Sequence, residues 1–117
     1  MFIPTSKEEL QNAVNVWCEN EETALDKYGN INTWDVSKMT DMSKLFKEKN
    51  NFNSDISNWN VSNVTNMEDM LNDASSFNSD ISKWDVSNVI DMRYIFFKAE
   101  SFKHNISNWN ISNVKYY

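Results

Sequence analysis

Apolar positions return along this chain in one fixed order every 25 residues. Trp34, Trp59, Trp84 and Trp109 set the step, with Ile31, Ile56, Ile81 and Ile106 three places before them. Val36, Val61, Val86 and Ile111 lie two places after, and Met39, Val64, Val89 and Val114 keep the same register. So do Met42, Met67 and Met92, and then Phe52, Phe77 and Phe102. A self-similar period of this length marks units that cannot bury an apolar face alone and do so against copies of themselves.

Within one unit two patterns follow each other. Trp59 and Val61 alternate with Asn58 and Asn60, the period-2 mark of a short strand. Val64, Met67, Met70, Leu71 and Ala74 then recur every three or four residues, as on one face of a helix. Thr65 and Glu68 have capping-box spacing, and Ser75 to Asp80 reads as a polar return loop anchored by Phe77. The expected fold is therefore α/β, a leucine-rich-repeat-like solenoid of strand–helix units. Its repeat core is Ile31, Trp34, Ile56, Trp59, Ile81, Trp84, Ile106 and Trp109. Parallel strand pairing would place equivalent residues roughly 4.8 Å apart. The column after Trp runs Asp35, Asn60, Asp85, Asn110, and another runs Asp41, Asn66, Asp91, so like charges avoid each other there. Asp55 and Asp80 break that rule, at a position read as loose and screened by solvent.

Composition changes the picture in one respect. The chain holds 19 Asn and 14 Ser but one Gly and one Pro, so Asn takes the place of Gly at corners. Asn53, Asn63, Asn78 and Asn88 keep the register and are expected to supply left-handed backbone there.

Residues 1–29 lack the repeat. Ser6-Lys7-Glu8-Glu9 is a capping box ahead of Leu10, Ala13, Val14 and Trp17 at helical spacing. A second helix is expected from Glu21 to Tyr28, with Gly29 as its C′ residue. The pair reads as a helical cap that packs Trp17 and Leu25 onto the Trp34 level, ahead of a 30–117 array of three full units and a partial fourth. That fourth unit reaches Tyr117 where its helix would begin. A short protein shielded by Tyr116 and Tyr117, a piece of a longer array and a self-associating end all fit that pattern. The third unit carries Tyr94, Ile95, Phe96 and Phe97 in succession, more apolar surface than one short helix face can bury. Tyr94, Phe97, Trp109, Tyr116 and Tyr117 are accordingly the candidate contact residues.

The stretch Phe52 through Met67, repeated as Phe77 to Met92, resembles the 25- or 26-residue repeat of bacterial surface proteins and mycoplasma lipoproteins, grouped with BspA-like leucine-rich repeats. The resemblance covers residues 30–117, and Glu8-Glu9-Leu10 through Ile31 looks like the cap that precedes such arrays. It implies a right-handed solenoid and a non-enzymatic role in surface display, adhesion or protein binding. No signal segment or lipoprotein Cys stands near the start, which argues against anchoring, and no localisation is assigned.

The chain of 117 residues carries a net charge of −6, which argues against a nucleic-acid partner. No apolar run is long enough for membrane insertion. One Gly excludes a phosphate loop, and no zinc-ligand spacing exists, so no cofactor is expected. His104 shares a loop column with Ser54 and Ser79 and reads as a surface substitution. Cys18 reads as a packing residue rather than a nucleophile. A calcium site would draw on Asp35, Asp55, Asp80 and Asp85, but such loops need a Gly, so turn duty is the reading preferred for them. The reading that results is a non-enzymatic protein with a protein partner, or one that associates with itself.

Overall fold

In the computed structural model, which describes residues 1–117, two helices form where the capping signals ask for them. Helix α1 spans Lys7–Glu19, and Ser6 Oγ accepts from the Glu9 amide at 3.1 Å. The Glu9 carboxylate reaches past Ser6 to the Thr5 amide at 2.8 Å. Asn20 serves both helices: its amide donates to Val16 O at the end of α1, and its Oδ1 accepts from Thr23 N at the start of α2, Glu21–Tyr28. Gly29, at φ 78°, ends α2 in a conformation that side chains resist. A single 3-10 turn, Ile31–Thr33, follows.

Beyond it the chain contains no helix and no sheet, and its only ladder pairs are the isolated parallel bridges Asp41–Asn66, Asn66–Asp91 and Asp91–Tyr116. The α/β solenoid of strand–helix units is therefore not what this chain builds. Residues 34–117 are irregular turns, and the molecule measures 39 × 28 × 21 Å.

Hydrogen bonding explains the difference. The Trp59–Val61 stretch lies between two tight turns, Trp59 N to Ile56 O at 3.1 Å and Val64 N to Val61 O at 3.0 Å. Its side chains alternate in and out as a strand's would, but its backbone has no ladder partner. In the expected helix, Met70, Asn72 and Ala74 donate to carbonyls three residues back. The intervening amides of Met67, Asp69, Leu71 and Asp73 donate 24 residues onward, to Asp91, Arg93, Ile95 and Phe97 carbonyls at 2.7–3.0 Å. An α-helix directs every amide to the carbonyl four residues back and would leave none for a neighbour. Left-handed residues turn the alternate peptides outward: φ is 58° at Asp69 and 61° at Asp73, with equivalents at Lys44, Glu48, Tyr94 and Lys98. The Thr65–Glu68 capping box does not form, since Thr65 N donates to Thr40 O and Glu68 N to Asn66 Oδ1.

The asparagines expected to be left-handed are not. Asn63, Asn88 and Asn113 instead donate from Nδ2 to the carbonyls of Ser37, Ser62 and Ser87 at 2.7–2.8 Å. Asn53 and Asn78 accept from the amides of Asn78 and Lys103. Their side chains tie one turn to the next, which frees them from backbone duty.

The inward positions form one apolar cluster from Leu10 to Trp109. Every residue of the helical-spacing set Val64, Met67, Met70, Leu71 and Ala74 is buried in it. The indoles of Trp59, Trp84 and Trp109 donate to the carbonyls of Ile31, Ile56 and Ile81, each 28 residues earlier, at 2.9–3.1 Å. Phe52, Phe77 and Phe102 stack at 5.9 and 5.8 Å between ring centres. Counting the 25-residue turns from each Ile as 31–55, 56–80, 81–105 and 106–117, helix α1 covers the first with Trp17, 6.1 Å from Trp34, while Leu25 points away at 41% exposure. Lys7 Nζ and Gln11 Nε2, one helical turn apart, donate to the carbonyls of Ser43 and Leu45 at 2.6 and 3.0 Å. Those carbonyls are the first-turn equivalents of Glu68 and Met70, so side chains of α1 take the place of a preceding turn.

Candidate contact surface

The same onward-facing amides shape the opposite end. In the first turn Met42, Lys44, Phe46 and Glu48 donate to the second, and in the second Met67, Asp69, Leu71 and Asp73 donate to the third. In the third, Met92 N reaches Tyr116 O at 2.8 Å, while the amides of Tyr94, Phe96 and Lys98 meet no acceptor within the 117 residues. Beside this row stand the exposed rings of Tyr94 and Phe97, edge to face at 5.8 Å and 62% and 52% exposed. Lys98 Nζ lies 5.5 Å from the Phe97 ring centre. Ile111 and Tyr117 are exposed as well.

Electrostatics sets this end apart. Arg93, Lys98, Lys103 and Lys115 face a single acid, Glu100, between residues 93 and 117, in a chain whose net charge is −6. Arg93 bonds the Asp91 carboxylate through Nε and Nη2 and reaches Glu68 at 2.8 Å, with Tyr116 under its guanidinium at 5.3 Å. The Arg93 hydrogen bond holds the Asp91 carboxyl below its usual range, and the same bond raises the guanidinium's own value.

The five candidate contact residues therefore divide. Tyr94 and Phe97 share one patch; Tyr116 is half exposed but held by Arg93 and by backbone bonds to Met92 and Ile90. Tyr117 is 91% exposed, whereas Trp109 is only 8% exposed, packed against Phe96 at 5.9 Å. Of the repeat core, Ile31, Trp34, Ile56, Trp59, Ile81, Trp84 and Trp109 are buried and Ile106 is half-buried. The open amide row had no sequence signal, because nothing in Tyr, Phe or Lys marks an outward-turned peptide.

Elsewhere the titratable groups serve structure. Asp35, Asp55 and Asp85 each accept from the hydroxyl and amide of the serine two places on, Ser37, Ser57 and Ser87. Asp80 accepts from the Ser82 amide. These serine bonds hold all four carboxyls below their usual range. No three His, Cys, Asp or Glu side chains converge as metal ligands would. His104 Nε2 faces Asn78 O at 3.0 Å, tying two turns as Ser79 Oγ does by accepting from Ile56 N. Burial pushes the Cys18 thiol up to about 11, which keeps it protonated. It lines a cavity of about 390 Å³ with Trp17, Glu48, Lys49 and Phe52. No helix is long and apolar enough to cross a membrane.

Residues 10–117 match the family model described as "Mycoplasma protein of unknown function, DUF285". The chain belongs to this family. The comparisons with curated proteins and with solved structures return no match, so the finer assignment to BspA-like leucine-rich repeats has no support from them.

Proposed function

We propose that this chain is a non-enzymatic protein-contact module that works through its third and fourth turns. The observation that carries the reading is the pair of exposed rings at Tyr94 and Phe97, edge to face, with the Lys98 ammonium beside Phe97. Exposed aromatic rings beside a cation offer a partner apolar area and charge together, the kind of residues in which binding energy concentrates at interfaces. The protonated Cys18 thiol and the carbonyl-bound His104 ring fit structural roles better than nucleophile or base. The resemblance to BspA-like surface repeats favours display or adhesion as the setting. A second reading, an assembly unit that joins its own kind, draws on the same exposed rings.

A photo-crosslinking residue at position 97, compared with one at the exposed polar Asn60, tests the reading. Discrete adducts from position 97 that excess unlabelled protein competes away, and that position 60 does not give, would support it. The same diffuse background from both positions would overturn it.

A further inference from the structure

Along the columns of the repeat, the first turn departs from the others at one internal place. Lys49 stands where the second and third turns have Ala74 and Ala99, and Ala74 is fully buried. Here the first turn packs on the end of α1 and the start of α2 instead of on another turn, and the looser fit leaves the cavity of about 390 Å³. That volume is at the small end of the roughly 300–1,000 Å³ usual for small-molecule sites.

Both signs of charge line this space. Lys49 is half-buried, and no carboxylate comes within 4.0 Å of its ammonium, although Glu19, Glu21 and Glu48 border the same cavity. Lys49 lowers and Glu19 raises the value of the Cys18 thiol that burial has pushed up, so the cation and that acid both stand near the thiol. Trp17 and Phe52, 6% and 4% exposed, form an aromatic floor, and the Trp17 Nε1–H is already bonded to Ser54 Oγ at 2.9 Å. The exposed Asn51 carboxamide also borders the cavity.

We infer that this cleft binds a small zwitterion, an α-amino acid with an apolar side chain. Its carboxylate meets the Lys49 ammonium and the Asn51 carboxamide, and its ammonium meets the carboxylates of Glu19, Glu21 and Glu48, as charge-assisted bonds. Its side chain lies on the edges of Trp17 and Phe52. A ligand of one sign would satisfy one wall and be repelled by the other, whereas a ligand with both charges satisfies both. The site lies apart from the Tyr94 and Phe97 rings and adds a small-molecule role to the protein-contact reading.

An amide-resolved NMR titration of the full chain with L-phenylalanine tests this at neutral pH, where the amino acid carries both charges. The expected result is saturable shifts confined to residues 17–21 and 48–54. N-acetyl-L-phenylalanine, which lacks the ammonium, and L-phenylalaninamide, which lacks the carboxylate, should each bind about tenfold more weakly or worse. Lys49→Ala, the residue that later turns carry in this column, should keep the thermal unfolding midpoint and lose the preference for phenylalanine over its amide. Glu19→Gln with Glu48→Gln should lose the preference for phenylalanine over its N-acetyl form. Absence of saturable shifts at millimolar L-phenylalanine, shifts centred elsewhere, equal binding of either singly charged analogue, or preferences unchanged in the variants would overturn the inference. Adducts from position 97 report on a different surface, so each reading stands or falls without the other.

Discussion

Replacing Trp59 by Phe separates the hydrogen bond from the ring. The indole is 3% exposed and donates to the Ile31 carbonyl at 2.9 Å, and Ile31 is fully buried. Its ring lies 6.4 Å from Trp34 and 5.8 Å from Phe46, so Phe keeps aromatic contacts on both sides. What is lost is the donor and the volume of the second ring. The Ile31 carbonyl keeps the Trp34 amide at 3.3 Å, so losing the indole bond costs about 0.5–1.5 kcal/mol, and the void adds roughly 1 kcal/mol. A total of about 1.5–2.5 kcal/mol is a sizeable share of a net stability of roughly 5–15 kcal/mol. At about 4 °C per kcal/mol for a chain of this size, the midpoint of thermal unfolding should fall by roughly 6–10 °C. Urea titration should show the same loss with an unchanged slope. Trp59→Ala, which also removes the ring, should leave little folded protein. A Trp59→Phe variant within about 0.5 kcal/mol of the parent would refute the idea that indole bonds across turns hold the structure together.

The other expectations address different supports. Lys7→Met removes the charged donor on the Ser43 carbonyl and should cost about 1–2 kcal/mol by urea titration, and adding Gln11→Leu should deepen the loss. Glu48, exposed at φ 63°, should order as Gly at least as stable as Glu, and Glu above Val by about 1 kcal/mol, in thermal unfolding. Asp35, Asp55, Asp80 and Asp85 all have folded-state values below the ordinary 3.8, so their contribution is present above about pH 4. It is lost as pH falls through the depressed values. Asp→Asn at these four sites, as nature has at Asn60 and Asn110, should flatten the acid limb of a stability–pH curve. Phe97→Ala should change the unfolding midpoint little, because half the ring is already in water, whereas Ile95→Ala should cost about 2–4 kcal/mol.

Side-chain direction was legible in the sequence; backbone path was not. The periodic Trp, Ile and Phe columns go inward, Ile106 and Phe102 less deeply than the rest. Helices α1 and α2 form where Ser6, Glu9 and Gly29 signal them, because local caps act before tertiary context. The repeat units misled because turns that donate three residues back reproduce both patterns. Trp59 and Val61 alternate like a strand, and Met67, Met70, Leu71 and Ala74 recur like a helix, while neither structure forms. The deciding feature, left-handed backbone at Lys44, Glu48, Asp69, Asp73, Tyr94 and Lys98, falls on residue types without that preference, apart from the two Asp. Sequence reasoning gave the role to Asn, whose amides were bridging turns instead. In the contact surface, the exposed Tyr94 and Phe97 could be read from the apolar excess, but the outward turn of the peptides beside them is a matter of backbone path.

Residue-resolved amide exchange tests the central claim most directly, since each turn is held to the next by every second amide. The amides of Met67, Asp69, Leu71 and Asp73 should exchange slowly, with those of Met42, Lys44, Phe46 and Glu48, while Tyr94, Phe96 and Lys98, which meet no acceptor among residues 1–117, exchange fast. Equal slow exchange at the first and third turns, or Tyr94, Phe96 and Lys98 as well protected as Asp69, Leu71 and Asp73, would contradict the account.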